Sequence, residues 1–282
     1  MSRYAVLGVN LQEDAIQAAL YNPDRPTRFF HCDFLTSGNW PENLWQHSER
    51  LLKAMAQIKS QLNTKRVRVM FNVPLACIQM GIISLPLNEH QYSDYQIAQA
   101  CQRNGMDLSA SWQIQIRWLA NDHRHPGHQL FQAVGVPKRL IGVIDGVCRT
   151  LHWQLSCIDL ACFARAYCWW QQRRPCAGRF AELHLVAQNN TLEVCLFLAR
   201  RLLDWCQISP VNHQSLVNYL AQLGLLWRCL PGVRLKQARM FGDEHLSNLE
   251  CPLEQFEFKL DGIHDASQMA ALGGALKVYE WL

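Results

Sequence analysis

Apolar and polar residues first alternate with the period of a strand and then switch to the period of a helix. Residues 4–9, 15–21 and 27–34 read as three strands, parted by a polar turn at 10–14 and by Asn22-Pro23-Asp24-Arg25-Pro26. A helix follows over 41–62, with Leu44, Leu51, Met55, Ile58 and Leu62 on one face and Glu49, Arg50, Lys53, Gln57 and Gln61 on the other. Residues 67–73 are a fourth strand, and 76–85 an extended segment ending at Pro86. A helix at 89–103 precedes two strand-like runs, 112–119 and 129–136, joined through the polar turn 123–128. Pro137 opens a helix whose apolar stripe is Leu140, Ile144, Val147, Cys148 and Leu151. Residues 153–158 form a strand, and Asp159 is placed to cap a helix over 160–171.

The second half repeats this plan. Strands at 180–187, 191–198 and 201–207 lead to a helix at 212–226, a strand at 233–240 and a final helix at 266–281. Strand-strand-strand-helix-strand thus occurs twice, near 3–73 and 180–240, which predicts a mixed α/β protein of two related lobes.

Composition narrows the chemistry. With 49% hydrophobic and 18% charged residues, the 282-residue chain has enough apolar surface for a sizeable core, and disorder is excluded. A net charge of +4 suits the neighbourhood of acidic headgroups but does not mark a nucleic-acid binder. The basic pairs Lys65-Arg66, Arg173-Arg174 and Arg200-Arg201 punctuate loops and line no common face. The run at 4–9 is too short for a secretory h-region, and the longest apolar stretch, 192–203, is interrupted by Glu193, Arg200 and Arg201. The expected location is therefore the cytoplasm. Twelve cysteines contain no C-x-x-C pair, and most sit among Leu, Ala, Ile and Trp, as reduced core thiols do. No metal site is expected: His123, His125 and His128 lie in a turn with only Asp122 beside them. Nucleophile-elbow, zincin and P-loop patterns are absent, so no catalytic residue is assigned.

Four stretches carry a family resemblance. Residues 131–159 run as a strand, a Pro137-Lys138 turn, a long helix and a strand ending in Ile158-Asp159; Ala161, Ala164, Arg165 and Ala166 continue the pattern. Residues 69–86 contain Val73-Pro74 and Leu85-Pro86, and the tail at 269–277 is Met-Ala-Ala-Leu-Gly-Gly-Ala-Leu-Lys. In this order of elements the chain resembles the type IV pilus assembly protein PilM family, particularly its shorter branch with HofM and the ComA-type competence proteins. The resemblance implies a two-lobed actin-like (ribonuclease H-like) fold with a small α/β insertion in the first lobe. The first lobe is then 1–178, with the insertion at about 86–136. The second is 179–282, its helix at 266–281 able to pack back on the first.

Actin-like ATPases grip phosphate with two hairpin turns that commonly carry Asp-x-Gly, the acid serving Mg²⁺ and the glycine admitting backbone N–H groups. In this chain Asn10 stands where the first acid belongs and Gln12 where its glycine belongs. The second turn offers Gln188 and Asn189, and the adenosine turn retains only Gly242. These residues form a degenerate nucleotide site, so ATP hydrolysis and an ATP–Mg²⁺ cofactor are not expected. The single Gly-Gly pair, Gly273-Gly274, lies in the last helix, where it permits close backbone packing.

The resemblance further implies a partner: the cytoplasmic N-terminal tail of a bitopic inner-membrane PilN-like protein, held in a groove beside the insertion. Element order puts that groove near 72–84, with Asn72, Pro74, Leu75, Met80 and Ile82 as its residues; ordinary sheet core explains the same residues equally well. The chain would then be a scaffold of a pilus or DNA-uptake platform, at the inner face of the membrane through its partner. Two alternatives stay open, a nucleotide-dependent switch of the same machine and an adaptor of a related secretion or MSHA-type pilus system.

Overall fold

The computed structural model describes residues 5–12, 15–33, 48–62, 64, 66–87, 92–106, 108, 111–122, 124–172, 180–188, 191–198, 200–208, 214, 218–219, 234–242, 257–259 and 265–280. The chain divides into two compact units, Met1–Ala164 with Ala270–Leu282, and Arg165–Met269. Both crossings fall inside helices; the boundary expected from the sequence, 178/179, lies outside the described residues.

The first unit contains strands β1 (Ala5–Leu11), β2 (Ala15–Asn22), β3 (Arg25–Asp33) and β4 (Val67–Val73), then β5 (Gln79–Pro86), β6 (Trp112–Asn121), β7 (His128–Pro137) and β8 (Gln154–Leu160). Its helices are α1 (Ser48–Ser60), α2 (Asp94–Arg103) and α3 (Lys138–Thr150). The main sheet has the order β3-β2-β1-β4-β8, with β1 antiparallel to β2 and parallel to β4. Being central, β1 is covered on both faces, so it reads as a near-continuous apolar run instead of an alternating one. One face is shielded by α1 and α3, which lie side by side and bury Leu51, Met55 and Ile58 from α1 and Leu140 and Ile144 from α3. Each such side chain contributes roughly 1.5–3 kcal/mol. Lys59 Nζ donates to the Leu151 carbonyl at 2.8 Å and ties the two helix ends together.

The other face is covered by a helix from the far end of the chain, α5 (Ala266–Glu280), where Ala275 and Val278 pack on Val6 and Met70. Close approach is possible because the contact is built from small residues. A Cβ added to Gly8 would overlap the carbonyl oxygen of Ala271, and one added to Gly274 would lie 2.6 Å from Asn72 Nδ2.

The insertion is a separate three-stranded sheet, β5-β7-β6, covered on one face by α2. Ser93 begins α2 with a capping box completed by Gln96, and Ile83, Leu85, Cys101, Phe131 and Ala133 form the core beneath it. The inserted sheet starts earlier than the sequence suggested: β5 pairs along its whole length with β7, so residues 79–86 belong to the insertion and not to the lead into it. Before β5, a short 3₁₀ turn at Leu75–Cys77 replaces the expected extended chain.

The second unit holds β9 (Phe180–Gln188), β10 (Thr191–Leu198), β11 (Arg201–Ile208), β12 (Arg234–Gly242) and β13 (Glu257–Lys259). Their order, β11-β10-β9-β12-β13, repeats that of the first sheet, as the duplicated pattern predicted. Helix α4 (Ala161–Gln172) enters this unit at Arg165. The helix expected over 212–226 lies almost wholly outside the described residues.

Candidate functional site

Register puts a line of polar side chains across the whole first sheet, at the ends of its parallel strands. Asn10 of β1 lies beside Asn72 of β4 and Gln17 of β2; Asn72 lies beside Asp159 of β8, and Gln17 beside His31 of β3. Side chains of paired residues share a face, so this is one row on the face that α5 covers. Asn10 was expected in a turn. Instead β1 runs on to Leu11, and Gln12 N donates to Ala15 O at 2.9 Å to close a tighter hairpin, which leaves Asn10 only 3% exposed.

Asp159 has also changed role. It lies within β8, one residue short of the position that would cap α4, its Oδ1 accepts from Leu160 N at 2.8 Å, and its Oδ2 is ion-paired with Lys277 of α5. Asn72, fully buried, donates from Nδ2 to the Ala270 carbonyl of α5 at 2.8 Å. Its Oδ1 and that of Asn10 are buried without a partner. At the exposed end, Gln17 Nε2 lies 2.6 Å from His31 Nδ1, and His31 Nε2 lies 3.0 Å from Asp33 Oδ1.

Magnesium and a triphosphate need hard, negatively charged oxygen ligands and open backbone donors. This row offers neutral amides, one carboxylate with both oxygens engaged, and a Gly8 whose open side is filled by α5. Among the described residues, those of the first unit do not fit the group. In the second unit Gln188 ends β9 and Gly242 ends β12, in register with Ala187; Asn189 lies outside the described residues.

The residues expected to line a peptide groove divide between two places. Asn72 faces α5 and Leu75 is buried, so neither presents a surface to a ligand. Pro74, Met80 and Ile82 are half-buried. Met80 and Ile82 share the face of the inserted sheet away from α2, beside Val134 and Gln132, and Gln132 Nε2 lies 3.3 Å from Met80 Sδ. Strand β5 is an edge of its sheet, so one side of its backbone is not paired within that sheet.

The far end of β5 is pinned by Asp122. Its Oδ2 accepts from Ser84 Oγ at 2.7 Å and also meets His125 Nδ1 at 3.0 Å, and its Oδ1 accepts from Arg124 N at 2.9 Å. Burial opposes the charged form, but these hydrogen bonds and the His125 charge outweigh it and hold Asp122 well below the usual carboxylate range. His125 is thus engaged in holding the hairpin, and His123 lies outside the described residues. Among the described residues no group of His, Cys, Asp or Glu is arranged to hold a metal ion, and the cysteines there are free thiols, most of them buried. Burial, with Asp145 nearby, pushes the Cys148 thiol up to about 12, and burial pushes Cys168 up to about 11. No described helix is long and apolar enough to cross a membrane.

Asp159 stood out in the sequence as a helix cap and Lys277 only as the end of the tail stretch; nothing there joined the two, because the spacing between them is 118 residues. Only the alternation in β8 and the place of Lys277 one turn from the Gly-Gly pair hinted at the face they occupy.

No protein-family model matches the chain, and no curated protein matches its sequence. Solved structures do match. A protein with an actin-like ATPase fold and unknown function from Bacteroides thetaiotaomicron aligns with a TM-score of 0.51 at 14% identity, over 96% of each chain. The fold is therefore the two-lobed actin-like one. Within that class the chain is similar to the PilM-PilN type IV pilus biogenesis complex, with a TM-score of 0.63 at 10% identity over 98% of this chain and 99% of that chain. It is also similar to the cytoplasmic domain of EpsL, an inner membrane component of the type II secretion system of Vibrio cholerae, with a TM-score of 0.59 at 10% identity over 97% and 95%. At such identities the likeness establishes the fold alone.

Proposed function

We propose that this chain is a non-catalytic cytoplasmic scaffold of a type IV pilus, DNA-uptake or related secretion platform. Its partner is the extended cytoplasmic N-terminal tail of a bitopic, PilN-like inner-membrane protein, which holds it at the membrane. The observation that carries this reading is the end-to-end likeness to a pilus biogenesis complex combined with amides where a magnesium nucleotide needs acids. Likeness to the EpsL domain supports a secretion platform as the second setting for the same role.

The surface best suited to the tail is the half-buried strip of Met80, Ile82 and Val134, approached after Pro74. An extended peptide there would use main-chain hydrogen bonds for affinity and alternate side chains for specificity. Titration with synthetic N-terminal tails of pilus and secretion partner proteins is expected to give saturable binding that Ile82→Asp abolishes. The reading fails if no tail binds while Mg-ATP stabilises the protein, which at 100 times Kd would amount to roughly 2.7 kcal/mol.

A further inference from the structure

Among the described residues, the part of the first unit's polar row that α5 buries contains a single carboxylate, and a residue of the same chain serves it. Asp159 Oδ1 is taken by the Leu160 amide and Oδ2 by the Lys277 ammonium, and both side chains are largely shielded from water. Lys277 also lies over the Phe163 ring, 5.6 Å from its centroid, which fixes the ammonium from a second side. About two turns back along α5, the Ala270 carbonyl takes the Asn72 amide, and the backbone of Ala271 and Ala275 fills the space above Gly8. The two orphaned amide oxygens, of Asn10 and Asn72, are neutral acceptors. Such acceptors suit a buried water and give a divalent ion no charge compensation.

We propose that Lys277 is the resident cation of this row: its ammonium satisfies Asp159 where a divalent ion would have to bind, and α5 is the permanent occupant of the face. The chain thus carries its own counter-ion on a helix more than a hundred residues away in sequence. The Asp159–Lys277 pair is then both a lock for α5 and the reason that divalent ions are refused. The neighbouring Cys157 thiol feels both charges: burial and Asp159 push it up to about 11 while Lys277 pulls the other way.

The test uses the full chain, with Mn²⁺ alone and Mg-ATP as probes and thermal unfolding as readout. Wild type is expected to melt at the same temperature with or without either probe. Lys277→Met keeps the aliphatic stem and removes the charge; it should melt lower by roughly 5 °C and regain part of that loss in millimolar Mn²⁺. Removing both charges, in Asp159→Asn with Lys277→Met, should restore most of the loss and abolish the response to Mn²⁺. Stabilisation of the wild type by either probe overturns the proposal, as does a Lys277→Met variant as stable as wild type. If Lys277→Met does not fold, the double variant decides: it must fold and ignore Mn²⁺, and its failure to fold counts against the pair. Binding of tail peptides is measured separately at Ile82, so loss of this inference leaves the docking reading standing.

Discussion

The two main sheets share one strand order and yet are covered in opposite ways. In the first unit, α5 comes down on the sheet with Ala270, Ala271, Gly274 and Ala275, and the backbone itself makes the contact at Gly8. In the second unit, α4 covers its sheet with bulk: Trp170 stacks edge-on against Phe197 at 5.5 Å, and its Nε1 donates to Glu182 Oε2 at 3.2 Å. Each helix nevertheless brings a basic residue to an acid on the sheet, Lys277 to Asp159 and Arg165 to Glu193. A shared topology fixes where a helix must lie, and the side chains on both surfaces fix how far away it stays. The first solution tolerates no added atom, and the second tolerates no removed one.

The largest effect expected from this contrast is in the second unit. Trp170→Ala should cost about 3–5 kcal/mol through the cavity it leaves, and Trp170→Phe clearly less, measured by urea unfolding. Equal losses for the two would show that the indole hydrogen bond, not volume, holds α4. Next comes Gly8→Ala, which should cost about 1–3 kcal/mol because the new methyl meets a main-chain oxygen that no rotamer can move. If this variant is as stable as wild type, α5 does not pack as closely as the small residues imply.

Acids sharpen the comparison with a smaller effect. Asp122 is held below its ordinary pKa, so its contribution is complete above about pH 4, the unfolded value, and is lost as pH falls further. Asp122→Asn should therefore destabilise at neutral pH by about 1–3 kcal/mol, and the difference from wild type should shrink in acid. Asp204 of the second unit is shifted the other way: burial raises it, against the Trp205 amide and the Tyr219 hydroxyl, which donates at 3.3 Å. Its charged form is disfavoured in the folded state, so Asp204→Asn should gain stability at neutral pH and lose that gain as pH falls. Opposite pH trends for the two variants in parallel melts would confirm the contrast, and parallel trends would refute it. The smallest effect is on the thiols. Cys148, Cys168 and Cys206, pushed to between about 11 and 12, should label with a thiol reagent only after denaturation.

Much of the architecture was legible because it is written locally. Periodicity and turn residues gave the strands around Val6, Ala19 and Val69 and the stripe of α3, and their repetition gave the second sheet. The misreadings have a common cause. Asn10 and Asp159 are polar residues in strands, and local preference assigns such residues to turns and caps. The pattern of β5 alone reads as a lead-in because it does not say that β7 is its partner, with Gln132 beside Met80 at a separation of 52 residues. The candidate site was half legible: Asn10 and Gln12 could be read as amides at the first hairpin, but Asn72 could not be told from a groove residue.

The sequence by itself therefore determined the kinds and order of elements and the duplication, since each is a property of short segments. The tertiary structure decided which face each polar side chain joins and what satisfies it. Asn72 meets a carbonyl 198 residues away and Asp159 an ammonium 118 residues away, and partners so distant are chosen by the packing of a whole unit, which no local pattern encodes.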